Sequence, residues 1–284
     1  MCSSDLGLIA GPMGKCAQFP MHLWLDEAME GPNPASILRN SVVVTCGAIV
    51  LLKLMPIVSF SPLATTVLLA VGSISAIGGG LVALAQVDIK RAFSYSTTSY
   101  LGLVFIAIAL QNPGIALLLL FAHGLARALQ FMAVGSIIAT TNCQDLTELG
   151  GIGSRMPATS LAFLVGSAGL VGLLPLGGFW CFGLLVDNLR QLAPAYAVIF
   201  LITNLLSAAN ITRVYRSVFL GPVTPKTRRA PEINWLMALP MVSLSVIVLL
   251  LPWIMQRLDP VPGIAAFPLP VGLTVAASGL VGVT

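Results

Sequence analysis

The sequence predicts an all-α, polytopic transmembrane helix bundle, and three observations lead to that prediction. The 284 residues are 57% hydrophobic and 8% charged, with a mean hydropathy of +0.97. Soluble domains carry about 25% charged residues, so this composition indicates an integral membrane protein in contact with a lipid bilayer. The apolar residues also fall into runs of roughly 20, the length that crosses a bilayer as a helix.

Composition also excludes several classes of site. The five cysteines form no CxxC pair and no His/Cys cluster, so we expect no cofactor, no metal site and no redox centre on this chain. The net charge of +4 does not indicate a nucleic-acid partner, because the basic residues lie between the apolar runs.

About nine apolar runs follow one another along the chain, and most of the 14 Lys and Arg residues fall on one side if the runs alternate. The positive-inside rule makes that side cytoplasmic, or stromal in an organelle. The predicted spans are 6–25, 37–55, 63–86, 93–110, 114–140, 158–185, 194–219, 235–256 and 264–284.

The first span contains a charge, Lys15, between Pro12 and Pro20. A charged side chain at mid-bilayer costs about 2.5–3.5 kcal/mol and normally lines a buried or hydrated path. The surrounding prolines and glycines predict a broken helix that frees backbone groups beside the lysine. His22 follows as a possible neighbour on that path. The alternative is a lysine that extends to the membrane interface.

A second Gly/Pro interruption, at residues 169–180, lies in the sixth span, five spans after the first. Paired interruptions in corresponding positions are typical of transporters built from inverted repeats, with the working site near the breaks. We therefore expect inverted five-helix repeats with discontinuous helices. The alternative is an ordinary proline-kinked packing helix.

His123 and Arg127 are four residues apart, so they share one face of a helix. Histidine exchanges protons near neutral pH, whereas arginine keeps its charge and can only set the local field. The pair is therefore a candidate for a hydrated proton path. The alternative is a structural histidine bonded to a backbone carbonyl.

Four other segments have simpler interpretations. Residues 88–91 and 226–229 are interpreted as solvated loop charges that set topology, and 26–34 as an acidic loop that contacts a partner. Gly78, Gly79 and Gly80 indicate close helix packing rather than a phosphate loop.

Four segments of the sequence carry a family resemblance: 14–34, 85–97, 123–127 and 175–180. They resemble the antiporter-like membrane subunits of complex I, and most closely the largest, chain 5 (F-type) subunit. The resemblance implies two inverted five-helix repeats, a mid-membrane path of lysines and histidines, and other membrane-arm subunits as partners. It implies an NAD(P)H-quinone oxidoreductase whose redox centres lie on other chains.

Carried over by position, Lys15 resembles the family's central lysine and His123 its relay histidine. Arg127 stands where the family usually has lysine, and Arg39 where it usually has histidine. Phe182 replaces a lysine of the second broken helix. The acidic partner of Lys15 would lie upstream, so we expect the chain to be a fragment. Its expected divisions are 1–62 (end of the first repeat), 63–225 (second repeat) and 226–284 (C-terminal helices).

These departures resemble the F-type subunits of cyanobacterial photosynthetic complex I that serve carbon dioxide uptake. That resemblance implies a plastoquinone-reducing complex in the thylakoid membrane, with a peripheral carbon dioxide-hydrating protein as a further partner. Two alternatives stay open: the large subunit of a multisubunit sodium/proton antiporter, and a structural or conduit subunit for a docked partner.

Overall fold

The computed structural model describes residues 2–172, 176–258 and 269–284, and the regular structure within these ranges is helical. Turns of π-helix at Arg39–Val43 and Arg216–Leu220 join or extend helices, and a 3-10 turn covers Ala28–Glu30. The α-helices are α1 (Cys2–Lys15), α2 (Leu23–Glu27), α3 (Asn33–Leu38), α4 (Val44–Val58), α5 (Pro62–Ala85), α6 (Ile89–Ala109), α7 (Pro113–Thr141), α8 (Pro157–Leu170), α9 (Gly177–Leu192), α10 (Pro194–Tyr215), α11 (Trp235–Leu258) and α12 (Leu269–Val283).

The predicted bundle is confirmed, including its interrupted spans. In the described ranges, six helices are long and apolar enough to cross a membrane, and each matches a predicted span. The first predicted span is divided between α1 and α2, and the sixth between α8 and α9. The ninth begins outside the described residues and continues as α12. The six are Asn33–Val58, Pro62–Ala85, Ile89–Ala109, Pro113–Thr141, Pro194–Leu220 and Trp235–Met255.

Helix α6 lies at the centre of the bundle, and the segment of it that would cross the membrane is buried throughout. It packs most extensively on α5, where two glycines face each other. A Cβ on Gly102 would lie 2.5 Å from the carbonyl oxygen of Gly72. Because real carbon atoms do not approach so closely, this contact requires glycine.

The loops expected on the basic side meet at one end of the bundle. The amide of Ile89 donates to the Gln144 carbonyl, and that of Ile152 to the Val218 carbonyl. The guanidinium of Arg213 donates to the Gln86 carbonyl over 2.9 Å. These contacts join the loops α5–α6, α7–α8 and α10–α11. Alternating spans place these three loops on the same side of the membrane.

One loop prediction needs correction. Lys90 is not solvated: it is 2% exposed, and its ammonium donates to the Gly31 carbonyl over 2.9 Å. The guanidinium of Arg91 lies 3.6 Å from the carboxylate of Asp26 and 3.3 Å from that of Glu30. The carbonyls and carboxylates of the acidic loop thus lie over the start of α6, while its contact with a partner stays a prediction.

The second basic loop forms an exposed pair with the preceding loop. Lys226 donates to the carboxylate of Glu148. This hydrogen bond holds the pKa of Glu148 below its usual range. Arg155 reaches the same loop and donates to the Arg228 carbonyl.

The predicted divisions are related to these elements as follows. The boundary at 62/63 lies at the start of α5, and that at 225/226 lies in the loop between α10 and α11. The assignment of these parts to inverted repeats stays a prediction.

Candidate functional site

The first break follows directly on Lys15, the last residue of α1. Ala17 adopts a left-handed conformation with φ of 51°. The amide of Gln18 donates to the Met13 carbonyl over 2.9 Å, and that of Ala17 to the Gly14 carbonyl over 3.1 Å. This crossed pair of bonds is the Schellman arrangement that ends many helices. The chain therefore turns sharply here instead of continuing as helix.

Side chains satisfy the backbone groups that the first break frees. The side-chain nitrogen Nε2 of Gln18 donates to the carbonyls of Cys16, over 3.0 Å, and of Thr98, over 3.2 Å. The backbone amide of Phe19 donates to the hydroxyl of Ser75 over 2.9 Å. Apolar surroundings make such partners necessary. The break is thereby attached to α5 and α6.

Lys15 lies at the break, as predicted, but its side chain is exposed on the described chain. It occupies the end of α1 where that helix packs against α4. A Cβ on Gly47 would lie 3.0 Å from the lysine Cβ. The charge therefore faces outward from the described helices, and the expected burial beside the broken helix is not seen.

His22 is half-buried just before α2. Its ring centroid lies 5.7 Å from that of Phe19 and 5.9 Å from that of Tyr95. The ring nitrogen Nδ1 is buried and has no hydrogen-bond partner among the described residues. The histidine borders a cavity of about 190 Å³ that Gly78 and Gly79 also line. Gly79 packs on α6 as predicted, whereas a Cβ on Gly78 would meet no other described element within 4 Å.

The second break separates α8 from α9, and Pro175 lies outside the described residues. The side chain of Asn204, in α10, connects the edge of this break to α12. The carbonyl oxygen of Asn204 accepts from the Gly172 amide over 3.0 Å. Its nitrogen donates to the Val275 carbonyl over 3.2 Å and to the Ser278 hydroxyl over 2.8 Å.

Arg127 is 1% exposed and lies in a row of neutral polar groups that connects three helices. Its guanidinium donates to Gln130 over 2.9 Å and to Ser96 over 3.1 Å. Gln130 in turn donates to the hydroxyl of Ser167 over 2.9 Å. Among the ion pairs formed by the described residues, none includes Arg127. The row therefore holds a positive charge that no carboxylate of the described chain pairs.

His123 is fully buried on the same helix. Within the described parts of the chain, neither of its ring nitrogens has a hydrogen-bond partner. Its ring centroid lies 4.9 Å from that of Tyr100, whose hydroxyl is also unpaired there. The alternative of a histidine bonded to a backbone carbonyl is therefore wrong for this structure.

Phe182, where the resemblance expects lysine, is buried in an aromatic cluster. Its ring centroid lies 5.9 Å from that of Tyr100 and 5.1 Å from that of Phe200. Helix α9 thus presents an apolar ring to Tyr100, the neighbour of His123, at the position where the resemblance implies a lysine.

Arg39 lies apart from this cluster. Its guanidinium donates to the Ala28 carbonyl over 2.8 Å and so binds the acidic loop. The structure does not bring Arg39 into the row around Arg127.

Helix α6 connects the two polar regions. Tyr95 and Thr98 face the first break, whereas Ser96 and Tyr100 face Arg127 and His123. Sequence reasoning missed these residues, although their signal was present. Residues 94–100 all carry a hydroxyl group and lie at the start of the predicted span 93–110. In the part of the chain that the structure describes, no three His, Cys, Asp or Glu side chains gather as metal ligands.

Interrupted apolar spans, with polar residues buried beside the breaks, define the class: this is an integral, multi-pass membrane protein with transporter-type discontinuous helices. The family model described as NADH:quinone oxidoreductase/Mrp antiporter, TM, matches residues 1–209. The chain therefore belongs to this family, in the group of complex I subunit 5 proteins.

Individual relatives agree with this assignment. The chain is 70% identical over 279 residues to NAD(P)H-quinone oxidoreductase subunit 5, organellar chromatophore 2, of Paulinella chromatophora, covering 98% of this chain and 45% of that protein. It is 36% identical over 225 residues to the chloroplastic subunit 5 of Citrus sinensis, covering 76% and 30%. It is 37% identical over 220 residues to NADH-ubiquinone oxidoreductase chain 5 of Sus scrofa, covering 76% and 36%.

The chain thus spans less than half the length of these relatives. A chain of the Mrp complex from Dietzia sp. DQ12-45-1b has the same fold, with a TM-score of 0.84. That match covers 100% of this chain and 61% of the other at 17% identity.

Proposed function

We propose that this chain is a proton-translocating part of the membrane arm of an NAD(P)H-quinone oxidoreductase. The observation that carries the proposal is His123, buried beside the charge of Arg127 with neither ring nitrogen paired among the described residues. A buried polar group without a partner is costly, and such groups concentrate where water or a transferred proton completes their bonding.

His123 and Arg127 have different proposed roles, because only the histidine readily exchanges a proton. Histidine ordinarily changes charge near neutral pH, so it can receive and release a proton. Arginine holds its proton, so Arg127 contributes a permanent positive charge whose field discourages a second charge on the histidine. Movement of water, or of the row to Ser167, changes the strength of that field at His123, and a stronger field would release the histidine's proton.

Lys15 has the proposed role of the switching charge at the first break. A lysine moves its pKa readily when its carboxylate partner approaches or withdraws. Its exposed side chain can meet a carboxylate from outside the described helices. Gln18 then links the lysine's break to α6, and α6 links it to the row around Arg127.

The test is proton translocation by the intact complex in liposomes, driven by its electron donor and a quinone. His123→Phe removes the titratable nitrogens without breaking a described hydrogen bond. We expect donor-driven proton uptake to fall while electron transfer and assembly persist. Phe131→Leu is the matched control, because it changes another buried ring of α7. Wild-type proton uptake by the His123→Phe complex would overturn the proposal.

We further propose that the complex is photosynthetic, lies in a thylakoid membrane and serves carbon dioxide uptake with a docked carbon dioxide-hydrating protein. The relatives named chloroplastic and organellar chromatophore support the location. The apolar ring of Phe182 and the permanent charges of Arg127 and Arg39 support a pathway altered from that of the usual pumping subunits.

A strain carrying Lys15→Ala tests this finer proposal against its alternatives. We expect loss of electron-transfer-linked carbon dioxide uptake with normal assembly, whereas Lys53→Ala, an exposed lysine of α4, leaves uptake unchanged. Normal uptake in the Lys15→Ala strain favours a structural or conduit subunit. Sodium- or potassium-dependent proton flux without a redox donor would favour the antiporter instead.

A further inference from the structure

A groove between α8, α10 and α12 lies outside the polar regions described above. Its apolar part has a volume of about 430 Å³, and its polar part, of about 320 Å³, continues from it. The two parts share Thr212, Arg216 and Val283, so they form one groove. The apolar walls include Leu164, Val171, Ala208, Ile211 and Leu220.

The polar end carries positive charge. Arg213 and Arg216 line it together with Ser217 and Thr284. No carboxylate is among the described residues that line either part. Arg213 is held by carbonyls at the end of α5, which fixes its charge beside the groove. Arg216 is exposed, and no ion pair of the described chain includes it.

The depth of the charge matches a lipid headgroup. Arg216 lies four residues before the end of the apolar span Pro194–Leu220, about 6 Å along a helix. That end belongs to the basic side of the bundle. Basic recesses between transmembrane helices on this side are where anionic headgroups bind.

We infer that this groove binds one anionic glycerolipid from the leaflet on the basic side. The acyl chain lies between α8, α10 and α12, and the anionic headgroup contacts Arg216 beside Arg213. The inner wall includes Ser167, which accepts the hydrogen bond from Gln130. The acyl chain therefore covers the outer end of the row that begins at Arg127. This inference does not depend on proton translocation.

The experiment uses the intact complex in mild detergent with phosphatidylglycerol carrying a diazirine in its acyl chain. After illumination, labelled peptides from α8, α10 and α12 are expected. Arg216→Gln should lower the apparent affinity of labelling about fivefold, the loss expected for one basic residue at a membrane surface. Arg229→Gln, an exposed arginine on the same side but outside the groove, is the matched control.

A second pair of variants tests the apolar part. Ala168→Phe places a ring in the groove and should reduce labelling with both arginines intact, whereas Leu161→Phe, on the exposed face of α8, should not. Equal labelling of the Arg216→Gln and Arg229→Gln complexes would overturn the inference. So would equal labelling by a phosphatidylcholine probe, or absence of label because a protein segment fills the groove.

Discussion

The two helix breaks are stabilised in different ways. At the first, several groups contribute together, namely the Schellman turn, the side chain of Gln18, and Trp24, whose indole donates to the Gly14 carbonyl over 2.8 Å. At the described edge of the second, Asn204 joins Gly172 to two groups of α12. Among the described residues, the contacts are therefore distributed over several side chains at the first break and concentrated on one at the second. Lys15 and His22 lie at the first break, whereas His123 and Arg127 lie on α7, which packs against α8 and α9.

The largest expected effect is that of Asn204→Leu. It leaves the Gly172 amide and the Val275 carbonyl buried without this partner, and we expect a loss of about 3 kcal/mol in unfolding free energy. Thermal unfolding of the purified subunit in detergent measures the change. Asn210→Leu, on the same helix, removes one described bond to Arg213 and should cost about 1 kcal/mol. Equal losses would show that the second break does not depend on one residue.

Gln18→Leu tests the distributed arrangement and should cost about 1 kcal/mol, because the turn itself and Trp24 remain. Trp24→Phe should cost a similar amount by removing one donor. The double variant should approach the loss caused by Asn204→Leu alone. The same unfolding measurement decides this, and a single Gln18→Leu loss as large as that of Asn204→Leu would contradict it.

Ala17→Gly should stabilise the first break by about 0.5 kcal/mol. Glycine relieves the left-handed strain at φ of 51°, and its greater freedom in the unfolded chain offsets part of the gain. Ala168→Gly, in the helical conformation of α8, should instead destabilise by about 1 kcal/mol. Opposite signs in thermal unfolding are the expected result, and matching signs would show that Ala17 is not strained.

The smallest expected effect is the pH dependence of stability that the exposed Lys226–Glu148 pair contributes, outside both breaks. Lys226 lowers the pKa of Glu148, so the pair stabilises the fold above the usual carboxyl range. That contribution disappears as the pH falls through the lowered pKa. Glu148→Gln should therefore slightly flatten the acid side of the stability profile. A wild-type slope in the variant would show that the pair contributes nothing there.

Much of the fold followed from apolar run length, because membrane-spanning helices need a fixed number of apolar residues. The breaks were found through Pro12, Pro20 and the glycines near residue 172. The exposure of Lys15 could not be found this way, since it depends on which faces of α1 meet α4 and α5. The burial of Lys90 was missed for a similar reason: its partner, Gly31, is distant in sequence.

The site was predicted in part. Spacing correctly placed His123 and Arg127 on one buried helix, because four residues make about one turn. The neutral partners of Arg127, and the role of Asn204, arise only when α6, α8, α10 and α12 come together. The hydroxyl run at 94–100 was the one local signal that pointed toward these contacts.

The burial of α6 on every side has a consequence for the order in which the protein is assembled. Its hydroxyl groups make it less apolar than α5, with a hydropathy of 1.4 against 2.2. When α6 leaves the ribosome, α5 already exists, but α7 and α10 do not. Its polar face is therefore open to lipid until those helices arrive. We therefore expect the insertion of α6 to depend most on membrane-insertion factors, or on a delay in its release into the lipid, at this stage of synthesis.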